Sequence, residues 1–283
     1  MKRAYKTEID LNLKQTIKTH QTLGVCRYVY NLYLSTNQEI YETEKRFMSG
    51  MDFSKWLNNV YTEEKDQWIK DVSSKAVKKA VMNGDKAFRN FFNGKAKFPK
   101  FKKKKNQDVK AYFPKNNKTD WTIERHRIKI PTIGWVKLKE FGYIPTNAQV
   151  ISGTVSQKAG RYFVSVLCEV QPKEKDHQIN NHDGIGIDEG IKDFAICSNG
   201  ETFGNINRSQ QVKKLEKSLK RQQKKLSRKY EAKKKDSKNK KKGSESCYYK
   251  NIQKQILVVQ KLHARLTNIR TEYVRYVVNR VVK

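Results

Sequence analysis

The spacing of hydrophobic positions changes several times along the chain. Residues 5–11 alternate between apolar and polar side chains, and this period of two predicts a β-strand. From about residue 14 to residue 93, apolar positions recur at helical spacing, as in Leu23, Cys26 and Tyr30. This stretch is predicted to be helical, with its aromatic residues in a core.

A second change of period occurs near residue 110. Residues 110–170 contain short alternating segments, such as the one around Ile128 and Ile130, separated by turn signals at Pro131 and Gly134. These features predict a run of short antiparallel strands, as in a small barrel. The polar stretch 171–183 is predicted to be a linker.

The remainder predicts a small sheet followed by two long helices. Residues 184–204 read as a strand, a glycine turn, a second strand and a third. Apolar stripes then follow helical spacing, through Val212, Leu215 and Leu219 in the first helix and through Ile252 and Ile256 in the second. A Lys- and Ser-containing stretch between the helices predicts that they pair antiparallel.

The charge of the chain indicates a polyanionic partner. Lys and Arg number 61 against 28 Asp and Glu, a formal net charge of +33. Two segments concentrate it: residues 95–118 hold ten Lys and one acid, and residues 208–242 hold 17 Lys or Arg and three acids. One such run is compatible with a solvated helix face or a flexible loop. Two runs with this net charge favour nucleic acid, because neutralising phosphates releases counterions.

Other features favour an intracellular protein with no membrane partner. No apolar run approaches the roughly 20 residues that span a bilayer, and the first ten residues do not resemble a secretory signal. The four cysteines are far apart, without a CxxC pair, so neither a zinc ribbon nor a disulfide framework is predicted. We therefore expect a soluble, intracellular protein whose partner is nucleic acid.

One segment carries candidate chemistry. In GIGIDEGIKDFA, residues 184–195, Asp188 ends an apolar strand and a glycine turn follows. Any hairpin turn uses Asp and Gly, so the string by itself is weak evidence. The functional interpretation is a strand-end carboxylate of an RNase H-like nuclease, in which clustered acids hold two Mg²⁺ ions about 3.5–4 Å apart.

The longer segment GIGIDEGIKDFAICSNG resembles the first RuvC motif of TnpB, a family of transposon-encoded RNA-guided nucleases related to type V CRISPR effectors. Further segments resemble TnpB in TnpB order, namely AYKTEIDLNLKQ, TLGVCRYVYNLYL, KAFRNFF, FPKFKKKK, RIKIPTIGWVKL and AGRYFVSVLCEV. The resemblance covers essentially the whole chain. It implies an α+β multidomain protein: a split β-barrel wedge domain (1–12 and 103–178), an inserted helical recognition lobe (13–102) and a truncated RNase H-like RuvC domain with long helices (179–283).

The sequence also departs from the family. TnpB nucleases have a second motif with a catalytic Glu, a CxxC…CxxC zinc module and a third motif with a catalytic Asp, and none of these occurs in the 283 residues. Glu189 stands where TnpB usually has an apolar residue. We therefore expect Asp188 to be a relic acid, with no catalytic residue and no metal site, in a nuclease-dead protein.

Three hypotheses follow from the resemblance and its limits. The leading one is an RNA-guided double-stranded DNA-binding protein that does not cleave, similar to TnpB-derived repressors that occlude promoters. Its required partner is a guide RNA, with no other cofactor, and its target carries a short adjacent motif. The first alternative is a TnpB-type RNA-guided DNA endonuclease or a fragment of one. The second is a basic RNA-binding protein without a DNA target.

The resemblance also suggests contact residues. Positions that match the motif-reading residues of TnpB are Phe53, Lys75, Lys78 and Lys115, although surface lysines also contact any phosphate. Backbone contacts are expected from the basic runs, at Lys102, Lys103, Lys104, Lys105, Lys213, Lys214, Lys217, Arg221, Lys224 and Arg228. The strand 184–188 is expected at the edge of its sheet, shielded by the last helix or by RNA.

Overall fold

The computed structural model describes residues 1–104, 109–115, 120–146, 148–171, 184–239 and 246–282. It is an α+β structure that separates into two compact units, Met1–Pro172 and Lys173–Lys283. None of the helices in the described ranges is long and apolar enough to cross a membrane.

A seven-stranded antiparallel sheet forms one half of the first unit. Its strands are β1 (Lys2–Asp10), β2 (Lys110–Pro114), β3 (Thr122–Ile123), β4 (Arg127–Ile130), β5 (Gly134–Leu138), β6 (Gln149–Lys158) and β7 (Arg161–Glu169). Their order is β2-β6-β7-β1-β5-β4-β3, so β1 lies between β7 and β5. The strands that the alternating pattern predicts are present. Within the described residues, β2 and β3 stand at the two ends of the sheet rather than closing it into a barrel.

The alternation in β1 follows from its position in the sheet. Tyr5 and Ile9 point into the core with Thr7, while Lys2, Lys6 and Asp10 do not. Their core neighbours come from the other strands and include Phe113, Ile128, Val155 and Val166. The first residues of the chain therefore pack against strands that lie more than 100 positions later in the sequence.

The helical half of the first unit contains two long helices joined by shorter elements. α1 (Leu13–Glu44) begins at a capping box between Asn12 and Gln15 and ends at Lys45, which is in the left-handed conformation. α2 (Gly50–Trp56) continues through a π-helical turn, Leu57–Tyr61, into α3 (Thr62–Glu64). A 3₁₀ turn, Gln67–Asp71, precedes α4 (Ser74–Phe92). α1 packs against α4 around Tyr33, Phe53 and Val81.

The second unit combines a small sheet with a helical hairpin. β8 (Ile187–Asp188), β9 (Asp193–Cys197) and β10 (Thr202–Gly204) form an antiparallel sheet in the order β10-β9-β8. α5 (Gln210–Asn239) and α6 (Ser246–Val281) follow. Gln255 Nε2 donates to the backbone oxygen of Gln222, and Arg270 pairs with Glu216. The helices are therefore antiparallel, as predicted.

The strand predicted over residues 184–188 is shorter than expected. Only Ile187 and Asp188 have strand geometry, and β8 lies at the edge of the sheet. The end of α6 packs on β9 and β10 through Val277 rather than covering β8. The Ile187 side chain stays 50% exposed, so the expected shielding by the helix is not seen.

Candidate nucleic-acid interface

The outer face of α5 is the densest group of exposed cations predicted from the sequence. Its apolar stripe, Val212, Leu219 and neighbours, packs on α6 and turns the other faces of the helix toward solvent. All six predicted contact residues on this helix are exposed, namely Lys213, Lys214, Lys217, Arg221, Lys224 and Arg228. Four of them, with Lys220, Gln223 and Lys225, surround an open recess of about 630 Å³.

These cations are not neutralised by neighbouring acids. Glu216 on α5 pairs with Arg270, at 2.9 Å, and Glu231 accepts a hydrogen bond from Ser227. Within the described part of the chain, none of the six predicted residues has a carboxylate within ion-pair distance. Like charges three and four positions apart destabilise a helix by about 0.2–0.5 kcal/mol per pair. A bound polyanion removes this repulsion, so the face is suited to a phosphate backbone.

Lys102 contributes to the fold as well as to the charge. Its backbone N–H donates to Asn31 Oδ1 at 2.8 Å, and Asn31 Nδ2 donates back to its carbonyl at 3.0 Å. Its ammonium group lies 5.4 Å from the ring centre of Tyr30. The Asn31 pair fixes the backbone after residue 101 against α1. Lys103 and Lys104 follow with exposed side chains, whereas Lys105 lies outside the described residues.

The four motif-reading positions divide into two environments. Lys75 and Lys78 are exposed on α4, which packs beside β2, and Lys115 directly follows β2 with a half-buried side chain. Phe53 is 0% exposed and packs edge-on against Tyr33, with ring centres 5.0 Å apart. The predicted contact of Phe53 with DNA does not fit this position, because no part of its ring is available to a base. Phe53 belongs to the helical core.

The sheet brings together further lysines that the sequence does not mark as a group. Lys6 on β1 lies near Lys110 and Lys158 on β2 and β6, and burial together with these two charges holds the pKa of Lys6 below its usual value. Lys79 extends over the ring of Tyr112, 5.3 Å from its centre, between α4 and β2. These residues are far apart in the sequence, so no run of basic residues indicates that they form a group. Only the tertiary structure brings them together.

The carboxylate Asp188 stands at the end of β8, opposite Ile196 of β9. Its side chain and that of Glu189 are exposed. The residues that the structure describes contain no group of three His, Cys, Asp or Glu side chains able to hold a metal ion. Two-metal hydrolysis needs several clustered oxygen ligands. The described donor set does not fit such a site, and no chemical step can be derived through it.

Comparison with known proteins places both ends of the chain in one family. A model described as a helix-turn-helix domain of the IS605 OrfB type matches residues 1–46, which here form β1 and the continuous helix α1. A model described as a probable transposase, OrfB of IS605, matches residues 165–283.

Two curated relatives align with nearly the whole chain. The putative RNA-guided DNA endonuclease InsQ of Escherichia coli strain K12 is 29% identical, over 99% of this chain and 63% of its own length. A putative RNA-guided DNA endonuclease of Streptomyces pristinaespiralis is 27% identical, over 100% of this chain and 65% of its own length. The chain thus spans less than two thirds of either relative. A chain of a Cas12f1–sgRNA–target DNA complex aligns over 80% of this chain and 62% of its own, at 12% identity and a TM-score of 0.34.

Proposed function

Because the chain belongs to the TnpB family, we propose that it binds double-stranded DNA under the direction of a guide RNA. The observation that carries this proposal is the alignment of two relatives named as putative RNA-guided DNA endonucleases over 99% and 100% of this chain. The six predicted contact residues of α5, which have no carboxylate within ion-pair distance in the described part of the chain, support it, because a structured RNA or heteroduplex presents closely spaced phosphates to such a face.

In this function, base pairing and protein contacts have different roles. The guide RNA is the required partner and selects the target by pairing, while the protein binds backbone and reads a short adjacent duplex motif. The exposed side chains of Lys75 and Lys78, with Lys115 after β2, are the proposed contacts to that duplex. No further cofactor is needed for binding, because pairing supplies the specificity.

The proposal extends to binding without cleavage by these 283 residues. Asp188 is the strand-end acid of the RuvC-like motif, and it is exposed at the end of a two-residue edge strand. One carboxylate does not position two Mg²⁺ ions. A complex that stays on its target without cutting blocks access of other proteins to that DNA. We accordingly assign it promoter occlusion, and hence transcriptional repression, on the nucleoid in the cytoplasm.

The binding part is tested with the purified protein and the RNA that co-purifies with it. Sequencing that RNA is expected to give a discrete guide-bearing species. A duplex that matches the guide is then compared with a scrambled duplex, and affinity for the matched duplex is expected to fall about 10³-fold or more between about 50 and 200 mM salt. Equal affinity for both duplexes, or heterogeneous RNA, would contradict guided binding and favour a general RNA-binding protein.

The absence of cleavage is tested separately on the matched duplex with Mg²⁺ and with Mn²⁺. We expect intact DNA, and Asp188→Ala is expected to leave its affinity unchanged. A nicked or cut duplex whose cleavage disappears in Asp188→Ala would establish an active endonuclease instead. The proposal of guided binding does not depend on this result, because it is tested by comparing the matched and scrambled duplexes.

A further inference from the structure

A cleft on the helical half of the first unit has an aromatic wall and a polar rim. It has a volume of about 380 Å³, within the range of about 300–1,000 Å³ typical of ligand sites. Four of its residues follow one face of α1 at helical spacing, and the opposite wall comes from the 3₁₀ turn and the residue after it. The lining residues are Gln21, Gly24, Val25, Arg27, Tyr28, Trp68, Asp71 and Val72.

Trp68 is held in this wall by a rigid polar anchor. The Asp66 carboxylate accepts hydrogen bonds from the indole Nε1 of Trp68 at 3.0 Å, from Tyr28 at 2.5 Å and from Tyr61 at 2.9 Å. These three donors, with that of Tyr28 strongest, lower the pKa of Asp66, so the anchor stays ionised. The indole is therefore fixed while 43% of its surface remains exposed. A fixed, exposed indole is a stacking surface for a base.

A second recess, strongly basic, adjoins the cleft through Arg27. His20, Arg27, Lys103 and Lys104 line it together with Leu23, Val109 and Gln157, and its volume is about 100 Å³. Arg27 lines both the cleft and this recess. Its guanidinium group lies over Gly24, because a Cβ at that position would meet Arg27 Nη2 at 4.0 Å. Lys103 and Lys104 are exposed.

We propose that the two recesses together bind one unstacked nucleotide, with its base on Trp68 and its phosphate between Arg27, Lys103 and Lys104. Single-stranded nucleic acid binds by combining aromatic stacking with cations along the backbone, and Arg27 joins the two parts here. This inference rests on the proposed function, because guided binding requires single-stranded RNA and produces a displaced DNA strand. The two recesses are one place where such a strand binds.

The direction of the nucleotide follows from Asp71. Asp71 lines the cleft from the same 3₁₀ turn as Trp68 and its charge repels phosphate, whereas the other recess has only basic and neutral lining residues. A carboxylate accepts hydrogen bonds from base amino and imino groups. The base therefore lies toward Asp71 and the phosphate toward Lys103. Guanine, which offers two adjacent donors on one edge, is the preferred base.

The test measures binding of short single strands to the RNA-free protein. Heptamers of RNA and of DNA, each in one sequence that contains guanine and one that lacks it, and inorganic polyphosphate are titrated against wild type, Trp68→Leu and Trp135→Leu. Trp135 is the matched control, since it is 37% exposed and has Arg127 over its ring at 4.5 Å, but it does not line the cleft. Loss of one stacked base is expected to weaken heptamer binding by Trp68→Leu about 5- to 140-fold.

The controls separate stacking from charge and from misfolding. Polyphosphate affinity is expected to be unchanged in Trp68→Leu, and Trp135→Leu is expected to bind both ligands as wild type does. Trp68→Phe keeps a ring and is expected to restore most of the heptamer affinity, and Asp71→Asn is expected to reduce the preference for guanine. A larger effect on the RNA heptamer assigns the nucleotide to the guide, and a larger effect on DNA assigns it to the displaced strand.

Two results would overturn the site. The first is equal heptamer affinity in Trp68→Leu and wild type. The second is a loss in Trp68→Leu that polyphosphate and Trp135→Leu share, because it reflects charge or folding. Neither result depends on guided binding, which is measured with matched and scrambled duplexes. A normal guide response together with an unaffected Trp68→Leu would reject only the nucleotide site.

Discussion

The carboxylate of Asp85 on α4 accepts a hydrogen bond from the hydroxyl of Tyr33 on α1, at 3.2 Å, inside the helical core. The same oxygen accepts from the backbone N–H of Gly50 at the start of α2, at 3.1 Å, and the second oxygen accepts from Arg89 at 2.7 Å. Asp85 is only 3% exposed. One buried acid thus connects α1, α2 and α4, and burial together with this acid raises the pKa of Tyr33.

Removing this acid is expected to destabilise the helical half. Asp85→Ala leaves the Gly50 N–H without its acceptor and removes one of two acceptors of Tyr33, which also donates to the Met48 carbonyl. We expect a loss of about 2–4 kcal/mol in the free energy of unfolding, measured by urea denaturation. Arg89→Ala serves as the comparison and is expected to cost less, since that side chain is exposed. Equal losses in both variants would mean that the ion pair, not the buried hydrogen bonds, stabilises the core.

Gly84 is predicted to be intolerant of a methyl group. A Cβ at Gly84 would lie 2.5 Å from Cδ1 of Tyr33, too close for any relaxed contact. Gly84→Ala is therefore expected to cost about 1–3 kcal/mol despite the better helix propensity of Ala. Gly24→Ala on α1 is the control, because the nearest atom is at 4.0 Å, and it is expected to gain about 0.5–1 kcal/mol. Thermal unfolding of both variants checks the prediction.

The basic face of α5 is expected to control the salt dependence of nucleic-acid binding. Replacing Lys217, Arg221, Lys224 and Arg228 by Gln is expected to lower affinity for every sequence similarly and to reduce the log–log salt slope by about 0.7–0.9 for each lost phosphate contact. The matched variant carries four Gln substitutions at exposed cations of α6, at Lys250, Lys254, Lys261 and Arg265. A slope that falls equally in both variants would show that α5 has no special role.

Stability is expected to depend on pH through His20. Its Nε2 lies 2.6 Å from the hydroxyl of Tyr162, and burial with the nearby Lys104 charge lowers the pKa of His20. The folded state therefore binds fewer protons here than the unfolded state, whose pKa is about 6.5. The contribution is fully present above that pH and is lost as the pH falls from it through the lower pKa of His20 in the folded state.

Urea denaturation between pH 5 and pH 8 checks the His20 prediction. The wild type is expected to lose more stability than His20→Gln as the pH falls, since Gln does not titrate. Parallel curves for the two proteins would assign the pH dependence to other groups.

Local patterns predicted most of the secondary structure of this chain. The predictions that failed concern features that depend on contacts between residues far apart in the sequence. The alternation near Tyr5 and the stripe through Val212 report one face of a strand and of a helix, which depends only on neighbouring residues. The break of the helical region at Asp66 was not predicted, because its left-handed conformation is stabilised by Tyr28 and Tyr61 from other elements. Matching to TnpB placed Phe53 at a DNA contact, whereas packing against Tyr33 buries it.

The sequence alone determined that this protein carries a large positive charge, that α5 presents one apolar stripe and otherwise basic faces, and that its motifs resemble TnpB. Composition and the spacing of apolar residues can be read from the sequence directly, so they do not require knowledge of the fold. The tertiary structure decided that Arg27 lines both the cleft that contains Trp68 and the recess that contains the exposed Lys103 and Lys104, and that the charges of Lys110 and Lys158 act on Lys6. These neighbours are separated by about 40 to 150 positions, and only strand order and helix packing bring them together.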